Sequence, residues 1–148
     1  MINCMTEKII GCGALFYSKE TNRFLLLHRT QSKQNRVWGL VGGMTTNELA
    51  WTGLKREIKE EIGDVKILKT IPMETFISND EAFLYHTYLC VVGSEFLPKL
   101  NKEHDGFAWC TFNHWPKPLH QGLRKTLQSK VNQTKLETVF KILKFLDD

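Results

Sequence analysis

Three glutamates, Glu57, Glu60 and Glu61, follow Arg56 in the run R-E-I-K-E-E. At ~100° per residue, spacings of three and four bring all three carboxylates to one helix face. Like charges crowded there repel one another by roughly a few tenths of a kcal/mol per exposed pair, and more when shielded from water. A hard divalent ion such as Mg²⁺ reverses that balance, because it selects carboxylate oxygens and keeps some of its waters. Ala50 and Gly53 fall on the same face one to two turns earlier and let a ligand or another segment come close. R-E-x-x-E-E taken alone also describes a solvated acidic edge on an ordinary amphipathic helix.

The elements that must position these groups can be read from periodicity. Residues 47–62 repeat as a helix, with Trp51, Leu54, Ile58 and Ile62 on an apolar face beside the carboxylates and Lys55 and Lys59 toward solvent. Thr46 or Asn47 is the expected N-cap, and Gly63 the C-terminal stop. Residues 7–17 and 23–28 read as strands, 30–37 as a polar loop, and Gly42-Gly43 as a turn whose backbone can approach a ligand closely. Strands over 65–77 and 82–92 flank the turn Ser78-Asn79-Asp80, a loop covers 93–105, and a short strand covers 107–112. Pro116 and Pro118 precede a helix over 119–130. The last helix covers 135–146, opened by a capping box of Thr134 and Glu137. Its stripe of Leu136, Val139, Phe140, Leu143 and Leu146 reads as core packing, with a homodimer contact as the alternative. This order predicts an α/β protein in which helices pack on a mixed sheet, and it disfavours the regular βαβ series of a Rossmann fold.

The bulk numbers bound the rest. A chain of 148 residues, 42% hydrophobic and 24% charged, suits a single domain over 1–148 with a real core. A net charge of +4 favours an anionic ligand but is too small and scattered for a nucleic-acid groove. Cys4, Cys12, Cys90 and Cys110 form no C-x-x-C pair, and Cys110 with His114 lacks the second pair that a zinc site needs. No stretch approaches the ~18 apolar residues of a membrane helix, and the opening MINCMTEKII lacks a signal-peptide run. Free thiols in a reducing cytoplasm are the expectation.

The segment over 38–64, WGLVGGMTTNELAWTGLKREIKEEIGD, resembles the Nudix box, G-x5-E-x7-R-E-U-x-E-E-x-G-U, where U is a bulky aliphatic residue. Counted from Gly42, Glu48, Arg56, Glu57, Ile58, Glu60, Glu61 and Gly63 all stand at the required spacing. Asp64 replaces the final aliphatic, and Leu49 replaces the usual Ser/Thr after the first glutamate. Most members count the x5 from the second glycine of the pair, so with Gly43 to Glu48 the loop is one residue shorter. Leu25-Leu26-Leu27-His28-Arg29 resembles the L-L-x-x-R strand that often precedes the box. Trp38 to Gly43 resembles W-x-x-P-G-G with Val41 in place of proline. Glu103-His104-Asp105-Gly106-Phe107-Ala108-Trp109 is similar to the E-x-D-G-x-x-W segment of some RNA pyrophosphohydrolases of the family. The resemblance spans about residues 7 to 112.

What the resemblance implies is specific. The fold is a Nudix-type α/β/α sandwich around a central mixed sheet. The reaction is hydrolysis of the diphosphate linkage in a nucleoside diphosphate joined to another group, with Mg²⁺ or Mn²⁺ held by Glu57, Glu60 and Glu61 and a further metal contact from Glu103. Glu57 or Glu103 takes the proton of the attacking water. Arg56 orients a box glutamate by an ion pair, and Glu48 stands behind the metal face. Arg29, Gly42 and Gly43 contact substrate. Trp38, Phe76, Phe83, Tyr85 and Trp109 are candidates to stack on a base, although an aromatic in a strand is more often core. His28, His86, His104, His114 and His120 have no catalytic spacing and read as structural or surface residues. No proline stands near 78 or 79, which disfavours an ADP-ribose substrate, and the coenzyme A signature is not matched. A nucleoside triphosphate is the leading substrate. The alternatives are a triphosphorylated RNA 5′ end and a Nudix module that binds nucleotide without turnover.

Overall fold

The computed structural model describes residues 8–30, 35–45 and 48–146. The first apolar run forms strand β1 (Ile9–Ser18), buried from Gly11 onward. Burial of successive residues, rather than alternate ones, marks a strand covered on both faces. Cys12, Ala14 and Phe16 serve one core, and Leu15 and Tyr17 serve the other. The chain continues through β2 (Arg23–Arg29), β3 (Trp38–Gly39), β4 (Val41–Met44), α1 (Ala50–Ile62), β5 (Lys69–Ile77), β6 (Phe83–Val92), β7 (His104–Thr111), α2 (Gln121–Gln128) and α3 (Lys130–Leu146).

The sheet runs in the order β3-β2-β1-β6-β5, with β4 also on β1 and β7 also on β2. β1 and β6 are parallel over their whole length, Ile9 opposite Phe83 and Ser18 opposite Val92. The other pairings are antiparallel, so the sheet is mixed. One edge of β1 is divided. Residues from Gly11 to Ala14 pair with β4, and those from Phe16 to Ser18 pair with β2.

Helices cover both faces of this sheet. Leu54, Ile58 and Ile62 of α1 pack against Cys12, Phe16, Leu25, Leu27 and Val41. Leu123 and Leu127 of α2, with Leu136 and Leu143 of α3, close the opposite face over Leu15, Phe24, Leu26 and Leu89. The result is the expected α/β/α sandwich. Val139 and Phe140 pack against the second cluster too, so the stripe of the last helix is used inside the molecule. Among the described residues, no helix is long and apolar enough to cross a membrane.

Three local expectations change. Gly42 and Gly43 do not turn the chain but lie within β4, opposite Gly13 and Cys12. A Cβ on Gly42 would strike the Cys12 carbonyl oxygen, so the pair permits close strand packing where a reversal was expected. Thr134 does not cap the last helix, because α3 already begins at Lys130. Ser129 occupies that place: its Oγ accepts from Asn132 N at 3.4 Å and its carbonyl accepts from Gln133 N at 2.9 Å. α1 begins at Ala50 with Leu49 as its N-cap residue, which makes no side-chain cap bond. Thr46 and Asn47 lie outside the described residues, as does Cys4.

The helix pair is pinned to the sheet by a small polar network. Asn132, only 2% exposed, donates from Nδ2 to Glu74 Oε2 at 2.6 Å and to the Thr126 carbonyl at 3.0 Å. Thr126 Oγ1 donates to the other Glu74 oxygen at 2.8 Å. Glu74 sits where the register of β5 against β6 shifts. Asn132→Ala removes two donors and leaves a shielded carboxylate oxygen unpaired. Urea unfolding of that variant should show a loss of about 1–3 kcal/mol with an unchanged denaturant slope.

Candidate active site

α1 lies beside β4, and glycines set how closely. A Cβ on Gly53 would collide with Thr45 Cγ2 and crowd Glu48. A Cβ on Gly43 would come within 2.8 Å of the Glu57 carboxyl carbon. The strand therefore passes directly under the carboxylate face of the helix. Gly63 ends the helix with φ 89°, a conformation that favours glycine, and its N–H donates to Lys59 O.

Glu61 is the most confined of the box carboxyls, at 2% exposure. Its Oε1 accepts from Gly42 N at 3.1 Å. The Glu57 carboxyl lies close enough to act on it as well. Burial pushes its pKa up to about 9; the Gly42 N–H opposes this, while Glu57 and Glu103 add to it. At neutral pH the protein thus holds a neutral carboxyl where a carboxylate would need a compensating cation.

Arg56 fans across the remaining acids. Nη2 and Nε reach Glu48 Oε1 at 2.8 and 3.2 Å, and Nη1 reaches Glu57 Oε1 at 3.0 Å and Glu60 Oε1 at 3.3 Å. Nη2 also contacts the Met44 carbonyl at 3.4 Å. These bonds, Glu48 foremost, raise the guanidinium pKa further. Glu60 keeps a side-chain exposure of 53% and marks the rim. The three box carboxylates share a stripe, but Glu57 and Glu61 turn inward while Glu60 faces solvent.

Glu103 reaches the same region through a loop stitched to the end of α1. Lys99 N donates to Ile62 O, and Asn101 Nδ2 donates to Glu60 O at 3.2 Å. Asn101 Oδ1 in turn accepts from Glu103 N at 3.0 Å. Thr30 N donates to Glu103 O at 2.9 Å, which ties the residue to the end of β2. Periodicity gave no sign of Asn101, because a loop side chain that bonds across 41 residues leaves no pattern in the sequence.

The donor set suits a hard divalent ion. It is oxygen only, and a cation beside Glu57 and Glu61 would offset the cost of burying the Glu61 charge. Among the described residues, no three His, Cys, Asp or Glu side chains are already closed into a cage.

The remaining candidates divide. Arg29 ends β2 opposite His104 of β7, and Gly42 and Gly43 lie under Glu61 and Glu57. Tyr85 lies against Gly11 and Gly13, with Glu61 and Arg29 among the charges that act on it; burial raises its phenol pKa. Trp109 is core: its ring meets Phe96 edge-on and its Nε1 donates to Phe96 O. Trp38 packs 4.9 Å from the His28 ring, and Phe76 meets Phe83, whose ring lies 6.3 Å from that of Tyr85. Two histidines that spacing left without a role flank Arg29. His120 accepts from Gly122 N as the cap of α2, and His104 is 7% exposed.

Burial, then the neighbouring Arg29 charge, lowers the His104 pKa from 6.5 to about 4. The unfolded chain therefore takes up this proton first. The stability that comes from keeping the ring neutral is complete above pH 6.5 and is lost as pH falls toward 4. Denaturant midpoints should decline across that window, and His104→Asn should flatten the decline.

A family profile described as the NUDIX domain matches residues 8–129. Among solved structures, the MutT NUDIX hydrolase from Burkholderia pseudomallei is 22% identical with a TM-score of 0.64, covering 84% of this chain and 98% of its own. An Ap4A hydrolase from C. elegans, in a binary complex, is 20% identical with a TM-score of 0.65, covering 87% of this chain and 98% of its own. The NUDIX domain of Shewanella oneidensis NrtR, complexed with ADP ribose, is 14% identical with a TM-score of 0.66, covering 87% and 88%. The comparison with curated proteins gives no match.

Proposed function

Since the chain belongs to the Nudix hydrolase family, enzymes that act on nucleoside diphosphate derivatives, we propose that it hydrolyses a nucleoside triphosphate at a phosphoric anhydride bond. Residues 1–148 act as one domain in this reading. The observation that carries it is the buried Glu61 carboxyl on Gly42 N, with Glu57 beside it against Gly43 and Glu103 acting on the same carboxyl.

Glu57, Glu60, Glu61 and Glu103 would hold Mg²⁺ or Mn²⁺. Such an ion, when bound, neutralises phosphate charge and lowers the pKa of a water. The chain's own residues do the rest. Arg56 fixes Glu57 and Glu60 by ion pairs, so neither loses orientation while the substrate enters. The glycine backbone of β4 gives the diphosphate a floor without side chains. Glu57 or Glu103 accepts the proton of the attacking water.

The Shewanella domain holds ADP ribose, and the C. elegans relative acts on Ap4A. A triphosphorylated RNA 5′ end is the second reading, motivated by the likeness of Glu103 to Trp109 to the E-x-D-G-x-x-W segment. The thiols Cys12, Cys90 and Cys110 are free, which supports a reducing, cytoplasmic setting.

The direct test is phosphate release from a panel of nucleoside triphosphates, Ap4A, ADP-ribose and triphosphorylated RNA with Mg²⁺ or Mn²⁺. Glu61→Gln keeps the shape of a carboxyl that the fold holds neutral. It should leave the melting temperature in chelator unchanged, yet lower turnover of the best substrate by several orders of magnitude. Activity within about tenfold of wild type would sink the metal assignment. Glu103→Gln should lower kcat by roughly a hundredfold or more with little change in KM, the pattern of a lost transition-state contact. An unchanged kcat at saturating Mg²⁺ returns Glu103 to a loop position without catalytic weight.

A further inference from the structure

A group of nitrogen donors stands beside the carboxylates without taking part in their network. Arg29 and His104 face each other across β2 and β7. Gly39 of β3 adds no side chain between Arg29 and the segment before α2. A Cβ there would lie 3.4 Å from Arg29 Cδ and 3.7 Å from His120 Cβ. Arg29 and His120 therefore line two sides of the space beside that glycine.

Arg29 and His120 each present an N–H donor, and His104 places a buried ring nitrogen beside them. His120 N donates to Trp38 O at 2.7 Å, which fixes the residue against β3. Its Nδ1 accepts from Gly122 N at 3.1 Å, so the neutral ring carries its proton on Nε2. Arg29 Nε and His104 Nδ1 are shielded from water and have no hydrogen-bond partner among the described residues. A buried donor left without an acceptor is costly and calls for an explanation such as an absent ligand. Of the two acidic neighbours of His104 in sequence, Asp105 is engaged by His28 at 2.5 Å, and Glu103 acts on Glu61 in the carboxylate site.

The cluster adjoins the hydrolytic site. The Thr30–Glu103 backbone bond lies one residue beyond both Arg29 and His104, and Glu103 acts on Glu61. We propose that Arg29, His104 and His120 form an anion subsite for a third phosphate, beyond the two that flank the hydrolysed bond. The protein then selects triphosphates over diphosphates and over neutral sugar extensions. The Arg29 guanidinium N–H and the His120 Nε2–H match phosphate oxygens, with His104 able to present Nδ1–H in one neutral tautomer, whereas a neutral sugar brings no charge to meet the guanidinium. The inference rests on the hydrolase reading above.

The test separates the two. First, inorganic tripolyphosphate and pyrophosphate are titrated into metal-free protein in chelator, followed by the ring signals of His104 and His120 and the Arg29 Nε–H. Tripolyphosphate should move all three and bind at least about tenfold more tightly than pyrophosphate. Arg29→Gln and His104→Asn should each remove most of that preference. Second, kcat/KM is compared for a nucleoside triphosphate and the matching diphosphate. Arg29→Gln should cost the triphosphate about thirtyfold or more, and the diphosphate less than about threefold. Equal losses on both substrates, or histidine signals that ignore tripolyphosphate, overturn the subsite. Wild-type protein that hydrolyses neither nucleotide yet shows the tripolyphosphate preference overturns the hydrolase reading and leaves the subsite standing. Should Arg29→Gln fail to fold, His104→Asn carries both comparisons.

Discussion

Glu61 keeps a carboxyl group inside the molecule, on a backbone donor from Gly42 and beside the Glu57 carboxyl. Burying an acid is unfavourable unless something compensates its charge, and here the compensation in the metal-free chain is protonation. Much of the surrounding architecture serves that one position. β4 must lie close enough for its backbone N–H to reach the helix, which demands glycine at 42 and 43. α1 must in turn lie flat on β4, which leaves no room for a side chain at 53.

Arg56 solves the complementary problem at the surface. Three carboxylates on one helical stripe would splay apart in water, but one planar guanidinium with several donors ties Glu48, Glu57 and Glu60 together. A lysine could offer the charge but not the fork. The inner carboxyl is held by backbone and burial, the outer ones by a single side chain. The face is thus ordered while still open to a cation from solvent.

The helix, its apolar side and the mixed sheet with helices on both faces were legible in the sequence, because they depend on periodicity. Trp51, Leu54, Ile58 and Ile62 point to the sheet wherever the helix is drawn, and the buried run of β1 reads as a central strand. What escaped depends on distance in space. Gly42-Gly43 looks like a turn until β1 is placed beside it, when the same residues become the only ones that fit. Thr134 and Glu137 satisfy a capping pattern, yet Ser129 caps the helix first and Asn132 finds Glu74 across 58 residues. His104 and His120 carry no mutual spacing because their relation runs through Arg29 and a bare Gly39. Asn101 reaches back to α1 in the same hidden way.

The divided edge of β1 has a consequence for how the chain comes together during synthesis. The turn into β2 is local, and β4 follows within about one further element. β6, the parallel partner along the whole of β1, arrives only after α1 and β5 have been made. Non-local parallel pairing must close a long loop before any contact repays it, so this step is slow. The Asn101 stitch to α1 and Glu103 come later still. A nascent chain that has made the complete acidic helix therefore lacks the strand and the loop that confine it. The carboxyl groups of that helix stay open to solvent until the sheet has closed around its first strand.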